Sequence, residues 1–201
     1  MFKKIIAFSL AEVLMVAAIA GIVGALTIPN MKKAYDKKAR IAKAKTTFAT
    51  LDSAISQIDY DKTFRQEGTE SVNLMNELQQ RVSFRHVCGS QVDSTACFPT
   101  KKFTESSSEE LKMSAWLQLS SLAKICSTGI LKNGTEIAVC ILFKKPYNAG
   151  VWKDYYGFIV VDVNGAKVGS QVRGEDIFVF KIGTTGIIPF EKSTEANIFD
   201  E

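Results

Sequence analysis

Few side chains in this protein can do chemistry, and their types already exclude most of it. There is one histidine, His86, among 201 residues. A lone imidazole cannot support the usual catalytic triads or zinc centres, and no G-x-S-x-G, phosphate-binding glycine loop or H-E-x-x-H run occurs. The sequence therefore does not read as an enzyme. Four cysteines, Cys88, Cys97, Cys126 and Cys140, all lie beyond residue 60 with no C-x-x-C spacing. An even count without metal-type spacing favours two disulfides over a metal site. Cys88 and Cys97 bracket GSQVDSTA, a small polar loop that a local disulfide would close. Cys126 and Cys140 flank Asn133-Gly134 almost symmetrically, so a cross-hairpin disulfide with a three-residue loop or a bulge is expected there. His86, two residues before Cys88, could suggest a thiol site with a basic partner, but the pair reads better as a disulfide-bonded cysteine beside a surface histidine. The last residue of note is Glu12, because of where it sits.

Phe8 to Ile28 is a run of 21 residues in which only Ser9, Glu12 and Thr27 are polar. At ~1.5 Å per residue it makes a helix of ~31 Å, enough to cross the ~30 Å hydrocarbon layer of a membrane. A carboxylate in such a run is costly and marks a function, with its partner to be found. Two plainer readings use the same stretch. Lys3 and Lys4, the apolar run and Ala18-Ile19-Ala20 resemble a secretory signal with a cut before Gly21, but the apolar pattern continues well past that point. An uncut single-pass anchor would also satisfy the length. The mature N-terminus separates the three: Phe8, Gly21 or Met1.

Met1-Phe-Lys-Lys-Ile-Ile-Ala7, followed by Phe8-Ser-Leu-Ala-Glu12, resembles the prepilin leader and mature N-terminus of type IV pilins and type II secretion pseudopilins. The resemblance implies cleavage between Ala7 and Phe8 by a membrane prepilin peptidase and N-methylation of Phe8. It also implies a subunit-assembly role for Glu12, the fifth mature residue, and a helix kink at Pro29, the twenty-second. Ala7 stands where the family usually has Gly. Cleavage would create an ammonium at Phe8, four residues before Glu12 and near the positive end of the helix dipole. Glu12 is then expected to pair with an amine, and the family's behaviour implies that of a neighbouring subunit. The implied partners are other pilin subunits, the peptidase, a secretion or pilus assembly platform, and membrane lipid. The expected location is the inner membrane, single-pass with an extracytoplasmic C-terminal domain, and then a filament.

The elements that must position these residues follow from periodicity. In residues 30–60, Ala34, Ile41, Phe48 and Ile55 recur every seven, with Ala44, Leu51 and Ile58 between them, which is one apolar stripe of a helix. The spine, Phe8 to about Tyr60, would measure ~80 Å, with Pro29 inside it. Lys32, Lys33, Lys37, Lys38, Arg40, Lys43 and Lys45 surround the stripe. This basic cluster reads as a solvated face meeting anionic lipid headgroups; a DNA-binding strip, as in competence pseudopilins, is the sharper alternative. By the positive-inside tendency the cluster predicts a cytoplasmic C-terminus, while the cysteines and the leader predict the opposite. A net charge of +4 is too mild to argue nucleic-acid binding for the whole chain.

Residues 61–201 form the expected head. Glu70 to Phe84 has Leu74, Met75, Leu78 and Val82 at helical spacing, and Ser114 to Lys124 suggests another short helix. Residues 101–110 read as an exposed loop. From Gly129 the pattern turns to strands: the Asn133-Gly134 hairpin, GFIVVDV ending at an Asn164-Gly165 turn, and Asp176 to Ile182. The fold class is α+β, a long N-terminal helical spine packed against a C-terminal antiparallel sheet. The segments Asp162-Val-Asn164-Gly and Gly174-Glu-Asp176-Ile-Phe178 resemble the C-terminal region of many pseudopilins, some of which hold calcium in a comparable loop. Asp162, Asn164, Glu175 and Asp176 offer hard oxygens, but calcium takes six to eight, and D-x-N-G is also an ordinary turn. The function implied is a structural filament subunit; the alternative is a membrane-anchored binding module that never polymerises.

Overall fold

The computed structural model describes residues 9–63, 70–89, 97, 104–105, 126–143, 145–146, 154–165 and 172–190. Ala7 and Phe8, and the expected helix at 114–124, lie outside them. The chain divides into two units, Met1–Ala39 and Arg40–Glu201.

Helix α1 runs over Leu10–Ile55 and passes through Pro29 without a break. Its 46 residues correspond to ~69 Å, shorter than the spine expected to reach Tyr60. The backbone leaves the helix at Ser56–Asp59 although the apolar period persists, since Ile58 is still buried. A four-residue helix α2 (Tyr60–Thr63) follows. In the first unit the side chains of Leu10, Leu14, Ile19, Ile22 and Leu26 are exposed, and α1 is long and apolar enough to cross a membrane. The stripe expected from Ala34 begins to be covered only after Arg40. Ala34 is exposed, Ile41 and Phe48 are half-buried, and Ala44, Leu51, Ala54 and Ile55 are fully inside.

The second unit is built on one sheet. Its strands are β1 (Phe84–Gly89), β2 (Thr104–Glu105), β3 (Cys126–Leu131), β4 (Glu136–Ile141), β5 (Tyr155–Asp162), β6 (Val172–Arg173), β7 (Ile177–Gly183) and β8 (Ile187–Pro189). Their order is β1-β3-β4-β5-β7-β6-β2, with β8 also on β7. Six strands, β1, β3, β4, β5, β7 and β8, pair antiparallel; the two-residue β2 and β6 add parallel pairings. Strand β2 lies inside the expected 101–110 loop, and β1 and β8 are strands that periodicity alone did not mark.

Two apolar layers sandwich the sheet. Ile137, Val139, Ile159, Val161, Phe178 and Phe180 face the second half of α1 and helix α3 (Glu70–Arg81), whose Leu74, Met75 and Leu78 are buried as expected. The Phe48 and Phe180 rings meet with centroids 5.2 Å apart. On the opposite face Cys126, Ala138, Cys140, Phe158, Val160, Ile177 and Val179 form a second cluster with Leu142 and Phe190. Residues at i and i+2 share a face, so the near-continuous apolar runs of β4, β5 and β7 are what burial on both sides demands. The sheet thus has a second apolar face besides the one packed on the spine helix.

The hairpin β3–β4 closes through Lys132-Asn133-Gly134: Leu131 N donates to Thr135 O at 2.8 Å and Gly134 N to Leu131 O at 2.9 Å. Gly134 has φ +78°, the left-handed residue that ends a three-residue hairpin loop. That loop brings Cys126 opposite Cys140. At Gly157, beside a bulge in the β5–β7 pairing, a Cβ would lie 2.1 Å from Cys140 O. Only glycine lets β5 approach β4 this closely.

Candidate assembly and anchoring sites

At the start of α1, Ser9 and Glu12 form a reciprocal pair. Ser9 N donates to Glu12 Oε2 at 2.8 Å, and Glu12 N donates to Ser9 Oγ at 3.3 Å. This is a capping box, which satisfies two of the N–H groups that a helix start leaves without partners. The Ser9-x-x-Glu12 spacing is the sequence signal of such a box. Ser9 lies outside the helix and Leu10 is its first residue, so Glu12 folds back onto the chain immediately after the expected cleavage point. A carboxylate has about four lone-pair sites, so one accepted N–H leaves room for an incoming ammonium. Near the end of the apolar run, Thr27 Oγ1 donates back to Val23 O at 2.8 Å, removing that hydroxyl's need for water.

The second unit contains a polar cluster where α1 meets the ends of β5 and β7. Arg40 Nε lies 2.8 Å from Asp176 Oδ1, a charge contact rather than an aligned hydrogen bond, and Asp176 is 2% exposed. One turn on, Lys43 Nζ donates to Val163 O at 2.7 Å. Asp162 Oδ1 accepts from Asn164 N and Gly165 N, both at 2.9 Å. This closes the D-x-N-G turn as a side-chain-stabilised turn. Gly165 and Gly134 lie side by side, since a Cβ on Gly165 would sit 3.7 Å from Gly134 O. The two Asn-Gly turns therefore converge next to Lys43.

The electrostatics follow from burial. Desolvation pushes the Asp162 carboxyl above the usual carboxylate range, and Asp176 adds to it; the Asn164 and Gly165 amides and Lys43 work against the rise. Burial lowers the Lys43 ammonium from its ordinary value, while Asp162 and Glu136 pull it back up. Asp162 and Asp176 thus lie close enough to act on each other, Asn164 joins them through its backbone N–H, and Glu175, next to Asp176, is half-buried. The two carboxylates face a guanidinium and an ammonium from α1, with which any divalent ion would have to compete. In the sequence nothing local distinguishes Arg40 and Lys43 from the other members of the basic cluster. Farther along α1, Asp52 Oδ1 accepts from Ile187 N at 2.8 Å and ties the helix to β8. Ser71 Oγ, at the start of α3, accepts from Ile141 N at 2.9 Å at the end of β4.

Both expected disulfides are present, Cys88–Cys97 and Cys126–Cys140. Among the described residues, one group places three metal-type ligand atoms within 4.8 Å of one another, His86, Cys88 and Cys97, and its two sulfurs are bonded to each other. Disulfides persist in oxidising compartments, so the second unit fits an extracytoplasmic domain. No protein-family model, curated protein or solved structure matches the chain.

Proposed function

We propose that this protein is a structural subunit of a pilus-like filament, a pseudopilin or minor pilin, held in a membrane by the first part of α1 before it assembles. The reading rests on one observation: α1 begins as an apolar rod with large exposed side chains and a single carboxylate in its first turn. Such a surface requires a membrane or other apolar helices around it, and the carboxylate requires a cation when that surface is buried. The prepilin-like residues Met1 to Glu12 and Pro29 supply the processing step, with cleavage after Ala7 giving a new amine at Phe8. The second unit, an extracytoplasmic head stapled by two disulfides, supports the same reading.

Glu12 carries two separable roles, and two substitutions distinguish them. Glu12→Gln keeps an acceptor for Ser9 N but carries no charge, while Glu12→Ala removes both. In cells that build the filament, both variants are expected to remain in the membrane fraction and both to be missing from sheared filaments. Normal assembly of Glu12→Gln would reduce Glu12 to a helix cap, and a parent chain that is itself missing from sheared filaments would favour a membrane-anchored module that does not polymerise. The mature chain should begin at methylated Phe8; a start at Met1 in cells with intact filaments would overturn the proposal.

A further inference from the structure

The two disulfides differ in setting. Cys126 and Cys140 face each other on β3 and β4, inner strands of the sheet, and are 2% and 0% exposed. Cys88 lies on β1, at one end of the strand order, and is half-buried, while its partner Cys97 is 0% exposed. Strand β1 pairs with β3 through register shifts on both sides of His86 and Val87, and irregular edge pairing opens locally at low cost. His86 and Cys88 lie two apart on β1, with Cys88 at the register shift between Val87 and Gly89. The His86 ring nitrogen, Cys88 Sγ and Cys97 Sγ all lie within 4.8 Å of one another, and His86 is exposed. Thiol–disulfide exchange needs an accessible sulfur to attack and a stabilised leaving thiolate, and a neighbouring imidazole stabilises a thiolate.

We infer that Cys88–Cys97 is a thiol-exchange site that takes a low-molecular-weight thiol onto Cys88, with His86 positioned to assist the departing Cys97 sulfur. The incoming thiolate forms an S–S bond to Cys88 Sγ as the Cys88–Cys97 bond breaks. The released electron pair goes to Cys97 Sγ, which departs as a thiolate and takes up, by way of the imidazole beside it, the proton that the incoming thiol gave up. The attacking thiol is oxidised into the mixed disulfide and Cys97 is reduced, so no further oxidant or reductant enters. Attack by Cys97 on the mixed disulfide reverses the step. Direction is set by exposure, because the Cys97 residue is closed to solvent. The inference is independent of the filament reading.

The test uses the full chain in detergent micelles with reduced glutathione as the thiol, followed by acid quench, alkylation and peptide mass spectrometry. Glutathione is expected on Cys88, an alkylated free thiol on Cys97, and an intact Cys126–Cys140 bond. His86→Ala, an exposed substitution, should leave the melting temperature unchanged and slow adduct formation about tenfold, through loss of leaving-group stabilisation. His86→Gln, which can donate a hydrogen bond but not become a cation, should also be slower than the parent. Adduct on Cys97, opening of Cys126–Cys140 at a similar rate, no reaction at Cys88, or an unchanged rate in His86→Ala would each overturn the inference.

Discussion

Removing Arg40 tests whether the polar cluster holds α1 to the sheet or merely decorates it. Arg40→Ala leaves the Asp176 carboxylate, 2% exposed, without the guanidinium 2.8 Å away. Breaking a buried pair from one side costs about 3–5 kcal/mol, and because Arg40 retains 27% of its exposure the low end, about 3 kcal/mol, applies. With a urea slope of about 2 kcal/mol per M, the unfolding midpoint should fall by about 1.5 M. The assay is a urea titration of the full chain in detergent micelles, followed by tryptophan and tyrosine fluorescence. The double variant closes the cycle: with Asp176→Ala already present, Arg40→Ala should cost under about 1 kcal/mol, because no buried charge remains to be stranded. A midpoint shift below about 0.3 M, or an equal cost in both backgrounds, would refute the claim that the pair anchors the helix.

Gly157→Ala should prevent normal β4–β5 pairing, since the added methyl would meet Cys140 O at 2.1 Å. Lost folded yield, or a melting temperature lowered by 10 °C or more on the order of a 3 kcal/mol loss, checks it. Asp162→Asn probes the raised carboxyl. Between the ordinary carboxylate range and the raised folded value, the folded state holds a proton that the unfolded chain has lost. Stability contributed by this group therefore falls as pH rises through that window and stays reduced above it. Asparagine keeps an oxygen for Asn164 N and Gly165 N, so the variant should flatten this part of the pH dependence of the urea midpoint; an unchanged slope would argue against it.

The parts of the fold legible in the sequence were those set by local rules. Asn133-Gly134 predicted a hairpin because the loop needs a left-handed residue, and that register placed Cys126 against Cys140. Leu74, Met75 and Leu78 marked α3 through their spacing. The end of α1 was not legible: Ile58 keeps the apolar period after the backbone has left the helix, so periodicity overruns the true end. Contacts that join distant segments had no local signature. Ser71 accepts from Ile141, 70 residues away, and Asp52 from Ile187, 135 residues away; a lone serine or aspartate on a helix gives no sign of such a partner. The polar cluster was half legible, its acids visible as D-x-N-G and G-x-D-x-F, its cations hidden among other basic residues.

The Cys126–Cys140 staple also sets how this domain would respond to tension. A chain pulled from its ends lengthens as its strands detach, by ~3.4 Å for each residue released. The 14-residue separation bridged by this bond cannot contribute, which withholds ~48 Å of extension from the middle of the sheet. Under load the hairpin β3–β4 would move as one rigid piece, and stretching would have to come from the segments on either side of it.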